Sequence, residues 1–118
     1  YETWQEGLLQ IFYAVRENKP FILNVYRCVS REQVEKYLTL LTDRLLLGVI
    51  QELSAGMTVR EEDKSFIAQI YSYAFVGLML DWVRLDMRPE PEVLVSRFAR
   101  VIQDDLAGAL ERFRVDKG

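Results

Sequence analysis

Apolar side chains recur at helical spacing along the first third of the chain. From about Trp4 to Glu17 they return every third or fourth residue, and Pro20 then forbids continuation of that helix. Pro20 also suits the first turn of a short second helix, which we expect to end near Val29. Ser30, followed three residues later by Gln33, is typical of a capping box and predicts the start of a third helix.

The same periodicity continues to the end of the chain. It predicts a long helix from about Arg31 to Leu53, with Gly56 as a plausible stop, and a second long helix from about Asp63 to Asp86. A connector containing Pro89 leads to a last helix that opens at Pro91. No stretch alternates cleanly with a period of two, so the pattern predicts an all-α domain of five helices joined by short connectors.

The stretch from Ser65 to Leu80 is the most apolar part of the chain. It contains no charged residue, and its apolar side chains point in every direction around a helix. Such a helix is either buried on all sides or spans a membrane. Spanning needs roughly 20 apolar residues, whereas Lys64 and Asp81 flank this stretch. We therefore predict a soluble core helix that its own domain covers on one side and that needs a second cover on the other.

A homodimer would supply that second cover. The last helix carries an apolar stripe wider than packing on one neighbour requires, and Gly77 within the central helix indicates close backbone approach. We predict that the last two helices of each subunit form an intersubunit four-helix bundle around a twofold axis. The residues assigned to dimerisation are Tyr73, Gly77, Leu94, Phe98, Ile102, Leu106 and Ala109.

Composition excludes several classes of function. The chain has 118 residues, which suits one domain, and a net charge of −3 without a basic run, so this chain should not bind DNA by itself. It lacks histidine, contains Cys28 as its one cysteine, and has no glycine-rich phosphate loop. These absences argue against an enzyme, a cofactor site and a metal site. A single cysteine also favours a reducing, cytoplasmic compartment.

Aromatic residues are the best candidates for a ligand site. Several tyrosines and one tryptophan combine apolar bulk with a polar tip, so they could line a cavity and orient a ligand. The alternative for each is ordinary packing in the core or at its edge. The residues assigned to ligand binding are Phe12, Tyr26, Tyr37, Tyr73 and Trp82.

The chain resembles the C-terminal, ligand-binding and dimerisation domain of TetR-family transcriptional regulators. The resemblance covers essentially residues 1–118 and rests on the opening helix with Trp4, on the segments 17–21 (ENKPF) and 73–78 (YAFVGL), and on 87–92 (MRPEPE). The last two segments look most like the Firmicute-type branch that includes regulators of dihydroxyacetone kinase operons. The resemblance implies a helix-turn-helix domain before Tyr1, a homodimer built from the last two helices, and a small-molecule pocket among the earlier ones.

Two hypotheses about function follow. The first is the effector-binding and dimerisation domain of a bacterial transcriptional regulator. It would bind a small apolar or amphipathic molecule, which would shift the geometry of two DNA-binding domains outside this chain. The second is a structural dimerisation or protein-docking module without a small-molecule ligand, with no membrane partner in either case.

Overall fold

The computed structural model describes residues 3–102 and 105–116, and within these ranges it is helical almost throughout. The predicted all-α class is confirmed, and each of the five predicted helices has a counterpart. The short second helix continues into a π-helical turn, and the last helix is described in two parts on either side of 103–104. The elements are α1 (Thr3–Glu17), α2 (Lys19–Asn24) with its π-helical turn (Val25–Val29), α3 (Arg31–Leu53), α4 (Glu61–Arg84), α5 (Pro91–Ile102) and α6 (Asp105–Phe113).

Local sequence signals set the ends of the two long helices. The Ser30 hydroxyl caps α3 by accepting a hydrogen bond from the Gln33 backbone N–H at 3.3 Å. Helix α4 ends in a Schellman motif, in which the Met87 N–H donates to the Trp82 carbonyl at 2.8 Å and the Asp86 N–H donates to the Val83 carbonyl at 3.1 Å. Asp86 and Met87 adopt positive φ angles of 63° and 60° in this turn. The chain therefore leaves α4 in a fixed direction before α5 begins.

Aromatic rings fill the centre of the domain. The Phe12 ring of α1 meets the Trp82 ring of α4 edge-on at 4.8 Å between centroids, and Phe98 of α5 lies 6.4 Å from Phe12. Phe75 of α4 lies between Trp4 and Phe98, at 5.9 Å from each. Each such pair stabilises the fold by about 0.5–1.5 kcal/mol beyond the area it buries. This cluster joins α1, α4 and α5 across the core.

Helix α4 is the core helix, as predicted. It packs along α3 for most of its length, and residues such as Val83, Phe75 and Met79 are almost completely buried. By length and composition alone it could cross a membrane, but half of its most apolar window is buried inside the domain. A core helix of a soluble domain passes the same test. The remaining face of α4 is exposed, and this face is the first candidate for function.

The α3–α4 connector is tied to the end of the chain. Val59 and Arg114 form an isolated antiparallel β-bridge, and the Val115 N–H donates to the Thr58 carbonyl at 2.8 Å. Arg114 also holds Asp116 through two hydrogen bonds, of 2.9 and 3.1 Å. The buried Val59 side chain anchors this contact to the core.

Candidate functional site

An unbroken apolar surface runs along the outer face of α4. Its members follow one another at steps of three or four residues, so they share one side of the helix. Phe66 is 53 % exposed and Tyr73 is 69 % exposed. We name this surface the α4 stripe; it consists of Phe66, Ile70, Tyr73, Ala74, Gly77 and Leu78. Contiguous exposed apolar patches of this kind mark interaction sites in soluble proteins.

Gly77 lies in the middle of the α4 stripe with open space in front of it. A Cβ atom built on Gly77 would meet no heavy atom within 4 Å outside its immediate helix surroundings. Nothing within the described chain therefore requires a glycine here, although a mid-helix glycine costs about 1 kcal/mol against alanine. The close approach that the sequence predicted at Gly77 is not an approach within the chain. Gly48 of α3 is exposed and open in the same way and offers a matched comparison.

The residues predicted at the dimer interface on α5 and α6 are more buried within the chain than those on α4. Phe98 and Leu106 are buried in the chain's own core, because α5 packs on α1 and α6 packs on α3 and α4. Leu94, Ile102 and Ala109 are half-buried against the same core. The expectation that this stripe is surplus to the domain's own packing is therefore wrong for Phe98 and Leu106.

A second candidate surface lies between α2 with its π-helical turn and α3. It is an open groove of about 580 Å³, which we name the α2–α3 groove. Its lining is mainly apolar and carries no charged side chain; it consists of Asn18, Phe21, Ile22, Val25, Val29, Gln33, Val34 and Tyr37. The i→i+5 hydrogen bond from the Ser30 N–H to the Val25 carbonyl, 2.8 Å long, closes the π-helical turn at one wall. Such turns are frequent at functional sites.

Two further open cavities have charged walls. One, of about 630 Å³, lies between α3 and α4; Asp43 and Glu62 line it together with Phe66 and Tyr73 of the α4 stripe. The other, of about 580 Å³, lies along α3 and is lined by charged residues including Glu35 and Lys36 as well as Asp43. Both cavities therefore differ in chemistry from the α2–α3 groove.

The structure does not gather the five predicted ligand residues around one described cavity. Phe12 and Trp82 are core residues in mutual contact, and Tyr26 is half-buried against the core. Tyr37 lines the α2–α3 groove, whereas Tyr73 lines the cavity between α3 and α4. The separation follows from helical geometry. Thr39, which lines the cavity between α3 and α4, lies about 200° around α3 from Tyr37, which lines the groove. The single pocket predicted from sequence is thus divided, and any ligand role for these residues stays a prediction.

Ion pairs link the α1–α2 corner to the connector between α4 and α5. Arg16 contacts Glu90 at 2.6 Å, and Lys19 contacts Asp86 at 3.4 Å. The sequence pattern does not predict these pairs, since more than 60 residues separate the partners and charge spacing along the chain reports only local pairs. The available signal was the opposite charge of Arg16 and Lys19 near the end of α1 and of Asp86 and Glu90 after α4.

Two side-chain hydrogen bonds reinforce this link. The Trp82 indole N–H donates to the Pro89 carbonyl at 2.8 Å. The Tyr13 hydroxyl donates to the Glu92 carboxylate, and this bond holds the pKa of Glu92 below its ordinary value. Together with the ion pairs, they fix the start of α5 against α1.

No group of three or more His, Cys, Asp and Glu side chains within residues 3–102 and 105–116 is arranged to hold a metal ion. Cys28 is exposed on the π-helical turn and is not in a disulfide. We therefore take the α4 stripe and the α2–α3 groove as the candidate surfaces, and both are suited to binding through apolar contact.

Comparison with known protein families gives a match over most of the chain. The TetR_C_8 family, described as "Transcriptional regulator C-terminal region", matches residues 2–104. Comparisons with curated proteins and with solved structures give no significant match. The family match covers most of the chain and agrees with its all-α architecture. This chain belongs to the family of C-terminal regions of TetR-type transcriptional regulators.

Proposed function

We propose that this domain joins two copies of a transcriptional regulator through the α4 stripe and couples a small-molecule effector to the geometry of that dimer. The main observation that supports this proposal is the exposed apolar surface of α4 around Gly77. The family supports the general role, because TetR-family C-terminal domains generally dimerise and bind small-molecule effectors and are typically not enzymes.

The α4 stripe has the features of a self-complementary interface. Its large members, Phe66, Ile70, Tyr73 and Leu78, lose contact with water when two copies of α4 cross. Burying an apolar side chain contributes about 1.5–3 kcal/mol. Gly77 at the crossing lets the two backbones approach closely. In a twofold arrangement each contact occurs twice, so a short stripe supplies a stable interface.

The half-buried residues of the last two helices flank this stripe in the proposal. Helix α6 packs on α4 within the chain, so Ala109 and its neighbours lie beside the helix that we place at the interface. We therefore keep the proposed four-helix arrangement, with α4 as its main contributor. The core residues Phe98 and Leu106 support it from inside the domain.

Two matched glycine substitutions test the proposal. Gly77→Gln and Gly48→Gln introduce the same side chain at exposed, unobstructed mid-helix positions. Both should raise the intrinsic helical stability of the chain by several tenths of a kcal/mol. Only Gly77→Gln places a polar side chain at the proposed crossing, so it should weaken dimerisation at least tenfold, whereas Gly48→Gln should change it less than threefold. Light scattering and sedimentation equilibrium on the purified chain measure both effects.

The reasoning fails if the unmodified chain is monomeric and folded at tens of micromolar, well above the dissociation constant of a stable dimer. It also fails if both variants dimerise equally well, because the interface would then lie elsewhere. Far-UV circular dichroism on the same samples separates loss of association from loss of folding.

A structural dimerisation module without a ligand is the second candidate. The aromatic cluster around Phe12, Phe75 and Phe98 favours it, since this cluster fills the centre where an enclosed pocket would lie. The α2–α3 groove, at about 580 Å³, favours the effector-binding role instead, because small-molecule sites begin at about 300 Å³.

Several finer assignments belong to the same proposal. A DNA-binding domain preceding this chain would read the dimer geometry, and the regulator would act in the cytoplasm. The placement in the branch with regulators of dihydroxyacetone kinase operons is supported by segments 73–78 and 87–92.

A further inference from the structure

We infer that the α2–α3 groove is the effector site and that it takes an uncharged amphipathic small molecule, with an apolar body and one hydrogen-bonding end. The inference deepens the proposed function, because it assigns a place and a chemical class to the effector. It moves the site away from the core, where the sequence analysis had placed part of it, to the surface between α2 and α3.

The walls of the groove define the apolar body of the ligand. Phe21 and Val29, both about two-thirds exposed, line the groove together with Val25 and the buried residues Ile22 and Val34. A volume of about 580 Å³ lies within the range of roughly 300–1,000 Å³ typical of small-molecule sites. An apolar ligand of moderate size would therefore cover side chains that water now contacts.

Three uncharged polar groups define the other end of the ligand. Gln33 and Tyr37 lie one helical turn apart on α3, and neither the Gln33 carboxamide nor the Tyr37 hydroxyl has a hydrogen-bond partner among the described residues. The Asn18 side-chain N–H₂ donates to the Ala14 carbonyl at 3.1 Å, so its side-chain carbonyl oxygen is not used by that bond. Such groups orient a hydroxyl, carbonyl or amide without requiring a charge.

The α2–α3 groove differs from the other two described cavities in the charge of its lining. Asp43 and Glu62 line one of them, and Glu35, Lys36 and Asp43 line the other. Placing an ionised ligand against the uncharged lining of the α2–α3 groove would remove water from the charge without supplying a counter-charge, which is costly. The lining therefore selects neutral ligands.

The size of the groove argues for a small molecule over a protein partner. Eight residues line it, whereas a stable protein interface uses roughly 20–30 residues on each side. None of the eight residues that line the groove belongs to the α4 stripe, so the proposed dimer does not account for the exposed apolar side chains there.

A neutral fluorescent probe tests the inference. Nile red is uncharged and amphipathic, and its emission rises in apolar surroundings; the anionic dye 1-anilinonaphthalene-8-sulfonate provides the charged comparison. We expect Nile red to bind the unmodified chain at one site per chain and more tightly than the anionic dye. Phe21→Ala removes one wall and Val29→Glu adds a charge, so each should lower Nile red affinity at least tenfold.

Two matched substitutions control for nonspecific binding. Phe113→Ala and Val101→Glu make the same chemical changes at exposed positions outside both the groove and the α4 stripe, so they should change Nile red affinity less than threefold. Loss of binding with Phe113→Ala instead of Phe21→Ala would place the site outside the groove and overturn the inference. Failure of Nile red to bind, or tighter binding of the anionic dye at the same site, would overturn it as well.

Light scattering on the same samples keeps the two proposals apart. A chain that is monomeric but binds Nile red between Phe21 and Val29 contradicts the proposed dimer alone. A chain that dimerises but binds no probe in the groove contradicts the effector site alone. Phe21 and Val29 are exposed, so both variants should keep the circular dichroism of the unmodified chain.

Discussion

Helix α3 buries a hydroxyl group that has no partner within the described part of the chain. The Thr42 side chain is 0 % exposed, and its Oγ1 atom makes no hydrogen bond there. Valine has nearly the same shape and the same β-branched χ1 preference. Thr42→Val should therefore stabilise the domain, whereas most substitutions of buried residues destabilise proteins.

The magnitude follows from the cost of burying a hydroxyl without a hydrogen bond. Mutational data place this cost at about 1–3 kcal/mol. Partial relaxation around the site reduces the gain, so we expect Thr42→Val to raise the free energy of unfolding by about 1 kcal/mol. For a chain of 118 residues, this corresponds to a rise in the melting temperature of about 4 °C.

Urea denaturation followed by circular dichroism measures the change, at one fixed protein concentration so that association does not vary. Thr39→Val is the matched control, because Thr39 lies on the same helix but is only half-buried. We expect the control to change stability by less than about 0.5 kcal/mol. If Thr42→Val lowers stability by more than the control does, the hydroxyl makes a hydrogen bond in solution and the reasoning is refuted.

Two further predictions concern stability. The Arg114 guanidinium holds the pKa of Asp116 down to about 2, so the stability that this carboxylate contributes is present above pH 4 and is lost as the pH falls toward 2. The melting temperatures of the unmodified chain and Asp116→Asn should therefore differ above pH 4 and converge near pH 2; a constant difference would exclude the ion pair as its source. A Cβ on Gly7 would lie 2.2 Å from Leu45 Cδ1, so the half-buried Leu45 side chain has to shift its rotamer, and Gly7→Ala should be less stable than Gly48→Ala by about 0.5–1 kcal/mol in urea denaturation. Adding Leu45→Ala to both variants should remove that difference, and an unchanged difference would show that the contact is not its cause.

The order of residues along the chain was enough to predict the helices and several of their ends. Apolar periodicity is a property of consecutive residues, so it identified α1, α3 and α4, and the Ser30 cap follows from three neighbouring positions. The absence of charge from Ser65 to Leu80 was enough to place α4 at the core. The motifs at segments 73–78 and 87–92 were enough for the resemblance that the family match supports.

Which face of each helix packs inward became known from the three-dimensional packing of the helices. An apolar stripe indicates that a helix packs against a partner, but it does not indicate whether that partner belongs to the same chain. On α5, the stripe with Phe98 packs on α1 and α4 of its own chain, whereas on α4 the face with Tyr73 stays exposed. The physical reason is that burial depends on the volume the other helices occupy, which no single helix encodes.

The candidate sites show the same division. Tyr37 and Tyr73 both have side chains suited to a ligand site. Helix α3 packs against α2 on one side and against α4 on another, so Tyr37 lines the α2–α3 groove and Tyr73 lines the cavity between α3 and α4. The α2–α3 groove exists because a π-helical turn and the first turns of α3 meet there. The ion pairs of Arg16 and Lys19 with the α4–α5 connector likewise join residues that are far apart in sequence. Residue type fixed the available chemistry, and packing over long sequence separations fixed which groups share a surface, because side chains meet in space and not along the chain.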